Sequence, residues 1–207
     1  MLRRILERLL SEREFLSPYG VRRVSRIHAE NRDLGVLPGI GRALIEYVPG
    51  ESTSDLFGGN SNWRGPIWMP TNYSIVQTIE KFHRFLGDEF KVAVPCLSDR
   101  EMTLKEIANL LAERLVDLYR PKDGSRPALA TQPPFATSPH WQDLLLFYEY
   151  FHADTGQGLG AAHQTGWTGL LANLVMRGYR RDIPEFWSRQ SVAANAASRE
   201  RPKLRVA

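Results

Sequence analysis

The sequence predicts an all-α fold, a helical scaffold that holds its functional groups on loops. Four stretches place apolar residues at the i, i+3, i+4 spacing of a helix with one buried face. One of these opens with a capping box and another closes on a glycine stop. Between them the chain is punctuated by Pro and Gly and carries tryptophans and carboxylates, the residue types of structured loops.

The first helix is expected over residues 1–14, where Leu2, Ile5, Leu6, Leu9 and Leu10 form a stripe that needs a partner surface. From Phe15 to Trp68 the pairs Ser17-Pro18, Pro38-Gly39, Pro49-Gly50, Gly58-Gly59 and Gly65-Pro66 break any long periodicity, predicting long loops with short strand-like pieces such as Ile45 to Val48. A second helix spans about Thr71 to Leu86, burying Ile75, Val76, Ile79, Phe82 and Phe85 and stopping at Gly87. A third starts at Thr103, with Glu106 three residues on, buries Ile107, Leu110, Leu111, Leu115 and Leu118, and ends at Pro121. After a Pro-rich connector, the apolar run from Leu144 to Phe151 fits a strand or a buried helical turn equally well. The last helix runs from near Thr165 to about Arg180 around Trp167, Leu170, Leu171, Leu174 and Val175. Residues 1–187 thus form one domain, and 188–207 a basic, Ala/Ser/Arg-rich tail without an apolar face, expected to be frayed or disordered.

Composition narrows the function. Of 207 residues, 43% are hydrophobic and 10% aromatic, enough for a substantial core and suited to a sugar site. The formal charge of +4 comes entirely from the last twenty residues, where five cations face one acid, so the neutral body lacks the basic footprint of a nucleic-acid binder. No apolar run is long enough to span a bilayer and no leader pattern opens the chain, so a soluble, cytoplasmic protein without a membrane partner is expected. The single cysteine, Cys96, has apolar flanks that read as a packed position and fit a reducing compartment.

Three constellations carry chemistry. In Asn62-Trp63-Arg64-Gly65-Pro66-Ile67-Trp68, two indoles that suit the apolar faces of sugar rings bracket an arginine, and Asn62 and Arg64 can donate to hydroxyls. The same residue types also suit a loop anchor in which Arg64 pairs with a buried carboxylate. Glu149 lies among Phe147, Tyr148, Tyr150 and Phe151, so it must be hydrogen-bonded, ion-paired, or raised in pKa toward acid/base use. Glu149 and His152 have a di-iron spacing, but no second copy exists, so neither metal nor cofactor is expected. The small-residue stretch from Gly158 to Gly169 brings His163, Gln164 and Trp167 to a helix start, where either His163 and Gln164 face a polar pocket or His163 or Thr165 caps the helix.

Taken in order, the Asn62–Trp68 motif, Glu149 with Thr155-Gly156, and His163-Gln164-Thr165-Gly166-Trp167-Thr168-Gly169 resemble the C-terminal region of glycoside hydrolase family 63 and its mannosylglycerate hydrolase-like relatives, from about Phe15 to Tyr179. The resemblance implies the C-terminal portion of an (α/α)6 toroid and an inverting hydrolysis of α-linked glucosides or mannosides. It places the general base on Glu149, and the sugar pocket on Asn62, Trp63, Arg64, Gly65, Trp68, His163, Gln164 and Trp167. The family's general acid is an aspartate far upstream, and none of Asp33, Asp55, Asp88 or Asp143 has its context, so no acid is assigned. The implied partners are a carbohydrate substrate and either a missing N-terminal half or a second copy of the chain to cover apolar helix faces. The alternatives are a catalytically incomplete carbohydrate-binding or assembly module, and another toroid glycosidase of trehalase-like type.

Overall fold

In the computed structural model, the described residues are 1–53, 62–122, 124–130, 135, 138–141 and 144–179. The N-terminal stripe folds as α1 (Leu2–Leu9), which ends sooner than its apolar spacing predicts. Leu6 and Leu10 are buried while Ile5 faces solvent, so the helix stops once its two inward residues are covered. The chain then turns at Ser11, whose carbonyl accepts from the amides of Glu14 and Leu16, into a tight hairpin of β1 (Leu16–Ser17) and β2 (Gly20–Val21).

A second hairpin, β3 (Asp33–Leu37) and β4 (Gly41–Leu44), turns through Gly39 and Gly41, both at positive φ that disfavours any side chain. The long helix α2 (Met69–Leu86) begins two residues before the predicted start because Pro70 fits the first turn, and its C-cap is Gly87. β5 (Lys91–Val94) and β6 (Arg100–Thr103) form a third hairpin with Val92 opposite Met102. Thr103 then caps α3 (Leu104–Val116): its Oγ1 accepts from Glu106 N, and Glu106 Oε2 accepts from Thr103 N at 2.8 Å. α2 packs on α3, and the core there comprises Val76 and Ile79 of the first helix with Leu104, Ile107, Leu111 and Leu115 of the second. A fourth hairpin joins β7 (Tyr150–Phe151) to β8 (Gly158–Leu159). The final predicted helix divides into α4 (Thr165–Thr168) and α5 (Leu170–Tyr179). One compact unit covers Met1–Leu174; of the other, Val175–Ala207, residues 175–179 are described and belong to the end of α5. Residues 180–207, including the predicted tail, lie outside the described residues, as do Asp55, Asp143 and the Gly59-Asn60-Ser61 start of the tryptophan loop.

The expected all-α fold, and with it the toroid portion, is corrected by this arrangement. The chain is mixed α/β, with four two-stranded antiparallel sheets between helices among the described residues. The reason is local. Val92, Val94 and Met102 point inward and alternate with less buried neighbours, the period-2 pattern of a half-buried strand, but over only four residues per strand. The run from Leu144 to Phe151, open between strand and helix in the sequence, goes extended. Phe82 and Phe85, expected in the core, are 41% and 85% exposed, because α2 outruns the surface that covers its first half. Among the described residues no helix is long and apolar enough to cross a membrane.

One buried cation ties the N-terminal hairpin to the remainder. Arg22, 3% exposed, donates from Nε to Tyr47 Oη at 3.0 Å, from Nη1 to the Leu16 carbonyl, and from Nη2 to Asp154 Oδ1 at 2.9 Å. Burial raises the Tyr47 phenol, which stays protonated and donates toward Asp154. Asp154→Ala leaves the guanidinium short of its one charged partner among the described residues. We expect a loss of about 2–3 kcal/mol in urea unfolding, below the cost for a fully buried pair because the Asp154 side chain is 36% exposed.

Candidate functional site

The tryptophan loop is folded by its asparagine. Asn62, 1% exposed, donates from Nδ2 to the Val48 and Gly50 carbonyls at 2.8 and 2.6 Å, and its Oδ1 accepts from Arg64 N at 2.9 Å. Its polar atoms therefore staple the loop to residues 48–50. Gly65 completes the contact, since a Cβ there would lie 2.6 Å from the Val48 carbonyl oxygen. The Asn62 carbonyl accepts from Trp68 Nε1 at 2.9 Å, which fixes the second indole. Arg64 is half-buried and donates from Nη2 to Ser52 Oγ at 3.2 Å, with Glu46 4.0 Å from Nη1.

Trp68 is completely buried and forms the centre of a stack. Trp63 lies on one face at 3.8 Å with planes 10° apart, and Tyr150 stacks at 4.8 Å. Trp167 of α4 tilts against both indoles, 5.4 Å from Trp68 and 6.3 Å from Trp63, and Leu159 closes the cluster. The exposed Arg23 guanidinium sits 5.1 Å above the Trp63 ring, a cation–π contact. Trp63 and Trp167 keep some exposed surface, whereas Trp68 has none.

The segment from Phe147 to His152 runs past this stack, laced on both sides by main-chain bonds. Phe147 O accepts from Gln164 N at 2.7 Å, Glu149 N donates to Ala161 O at 2.8 Å, and Phe151 and Ile67 exchange two bonds of 2.9 Å. Glu149 is thereby held half-buried beside the aromatic cluster. Its Oε2 accepts a 3.4 Å bond from Ala161 N and lies 2.7 Å from where a Gly160 Cβ would be. Gly160, at φ +69°, is therefore required twice, by its backbone and by the carboxylate next to it. Burial pushes the Tyr150 phenol up, and the charges of Glu51 and Glu149 add to this.

The predicted residues thus converge from three distant parts of the chain with divided tasks. Asn62, Gly65 and Trp68 are interior supports; Trp63, Arg64, Glu149, Gln164 and Trp167 are half-buried; His163 is exposed, its backbone bridged to Phe147. Sequence reasoning missed two supports. Asn72 of α2 grips Val21 through both its amide and carbonyl, at 2.7 and 3.0 Å, and Asp154 holds Arg22. A polar residue on the inward side of an apolar helix was the available signal for Asn72.

His152 is set against Gly50 and its Nδ1 accepts from the amides of Asp154 and Thr155 at 3.2 and 3.3 Å. Burial lowers its pKa below the usual 6.5, only partly opposed by Asp154. Neutral His152 is thus favoured in the folded state. Its stabilising contribution is complete above pH 6.5 and is lost as pH falls through the lower folded value. The melting temperature is expected to decline from pH 7 to 5 less steeply in His152→Asn, whose side-chain oxygen accepts at any pH.

No family model matches the chain. An uncharacterized protein of Saccharomyces cerevisiae is 43% identical over 174 residues, 83% of this chain and 16% of that protein. A mannosyl-oligosaccharide glucosidase of the same yeast is 26% identical over 124 residues, 59% of this chain and 12% of the enzyme. The chain therefore spans about a sixth or less of the length of these curated relatives. Part of it is a distant homologue of part of a glucosidase.

Proposed function

We propose that this chain is a glycosidase segment of the family 63 kind, which binds the terminal sugar of an α-linked glucoside or mannoside and supplies the general base of an inverting hydrolysis. The observation that carries the reading is the place of the Glu149 carboxylate beside Tyr150, both within 3 Å of a Cβ built at Gly160, where Tyr150 stacks on Trp68 in the cluster that also holds the half-buried Trp63 and Trp167. A carboxylate held by a backbone amide beside an aromatic cluster suits water activation next to a bound pyranose. We read Gln164, next to the turn of Trp167, and Arg64, next to Trp63, as donors to hydroxyls, and the distant likeness to a glucosidase supports the reading. The acid that protonates the leaving oxygen comes from a second polypeptide segment, such as the remainder of a protein as long as the relatives.

The test is hydrolysis of α-glucosides, α-mannosides and mannosylglycerate by this chain, alone and co-expressed with the N-terminal remainder of a full-length relative. Turnover in the co-expressed form, abolished by Glu149→Gln, is the expected result. Absence of both turnover and saturable sugar binding in the folded assembly would overturn the reading.

A further inference from the structure

Glu51 follows a glycine in the segment that backs the tryptophan loop, and both of its neighbours are tied to that loop. The Gly50 carbonyl accepts from Asn62 Nδ2 at 2.6 Å, and Ser52 Oγ accepts from Arg64 Nη2 at 3.2 Å. On the opposite side the Pro49 carbonyl accepts from Ala153 N at 2.9 Å. Gly50 lies so near His152 that a Cβ there would be 3.0 Å from its Cδ2. The Glu51 backbone is therefore pinned between the loop of Trp63 and the end of the segment that carries Glu149 and Tyr150. Its side chain is exposed, and among the described residues it makes no hydrogen bond or ion pair.

We propose that Glu51 is a substrate-orienting carboxylate of this site, accepting hydrogen bonds from two adjacent hydroxyls of a pyranose held at Trp63 and Trp167; this rests on the sugar-site reading above. A carboxylate has two oxygens to accept from a vicinal diol, and charge-assisted bonds of this kind are the stronger class. The pinned backbone limits the entropy lost on ordering the side chain. The electrostatic reach of Glu51 to the Tyr150 phenol, shared with Glu149, agrees with both carboxylates facing one region. Glu51 then sets which hydroxyl pattern is accepted, while Glu149 acts on water.

The experiment follows the tryptophan emission of the intact chain during titration with methyl α-D-glucoside, methyl α-D-mannoside and the singly deoxygenated glucosides, with circular dichroism as a check of fold. Wild type, Glu51→Ala, Glu51→Gln and Glu149→Gln are compared. Glu51→Ala is expected to raise Kd about 10-fold or more, with Glu51→Gln intermediate. For each of the two deoxy analogues that lack one of the contacted hydroxyls, the ratio of Kd between Glu51→Ala and wild type is expected to be smaller than for methyl α-D-glucoside, while analogues deoxygenated elsewhere keep the full ratio, a coupling that a purely structural role would not produce. Equal binding by wild type and Glu51→Ala, or an unchanged preference among deoxy analogues, overturns the role of Glu51 alone. No saturable binding of any sugar by wild type overturns the sugar site together with it.

Discussion

Turnover of an α-glucoside by an assembly that contains this chain is expected to fall about 10²–10⁴-fold in Glu149→Gln, the range that a positioned general base contributes. Glutamine keeps the length of the side chain and an oxygen that accepts from Ala161 N, so the main-chain lacing around residue 149 survives. What disappears is the ability to take a proton from water. The loss should fall on kcat, with KM for the sugar changed much less, because the base acts on water in the transition state and the ring is held by other groups. A drop in KM-limited binding with kcat intact would instead make Glu149 a hydroxyl ligand and move the base elsewhere.

The sequence reveals those features whose cause is local. The Thr103–Glu106 capping box and the Gly87 stop depend on residues within one turn, and both are present. The hairpins were hidden because each strand is two to five residues long, too short for a period-2 pattern to stand out against neighbouring helices. Burial of a helical stripe was legible in direction but not in extent: spacing aligns Phe82 and Phe85 with Ile79, yet nothing local says where the covering surface ends. At the site, the resemblance grouped Trp63, Trp167 and Glu149, while residue type alone left each open between a support and a ligand contact. It could not show that Asn62 spends its amide on Val48 and Gly50, or that Trp68 is sealed inside, since both depend on a fold that brings residues 48–50 beneath the loop. Glu51 gave no signal, lying in a Gly/Ser stretch without aromatic neighbours, and its placement comes from the bonds made by the residues on either side.

Trp68→Ala is expected to cost about 3–5 kcal/mol, the range for emptying a fully buried tryptophan site, and to remove the site along with the stability. Trp68 is the one ring in contact with Trp63, Tyr150 and Trp167 together, and its indole N–H holds the Asn62 carbonyl. Its neighbours cannot close the gap. Ile67 is fixed by two bonds to Phe151, Tyr150 is paired in β7, and Asn62 is stapled to residues 48–50. The cavity would therefore persist, and Trp63 would lose the face that orients it. Trp68→Phe retains an aromatic plane but not the N–H, so it should recover more than half of the lost stability while leaving the Asn62 carbonyl without its partner. Urea unfolding of the two variants, read by far-ultraviolet circular dichroism, separates ring packing from the hydrogen bond. Equal stability of Trp68→Ala and wild type would mean that the stack is peripheral, and that the loop of Trp63 is held by Asn62 alone.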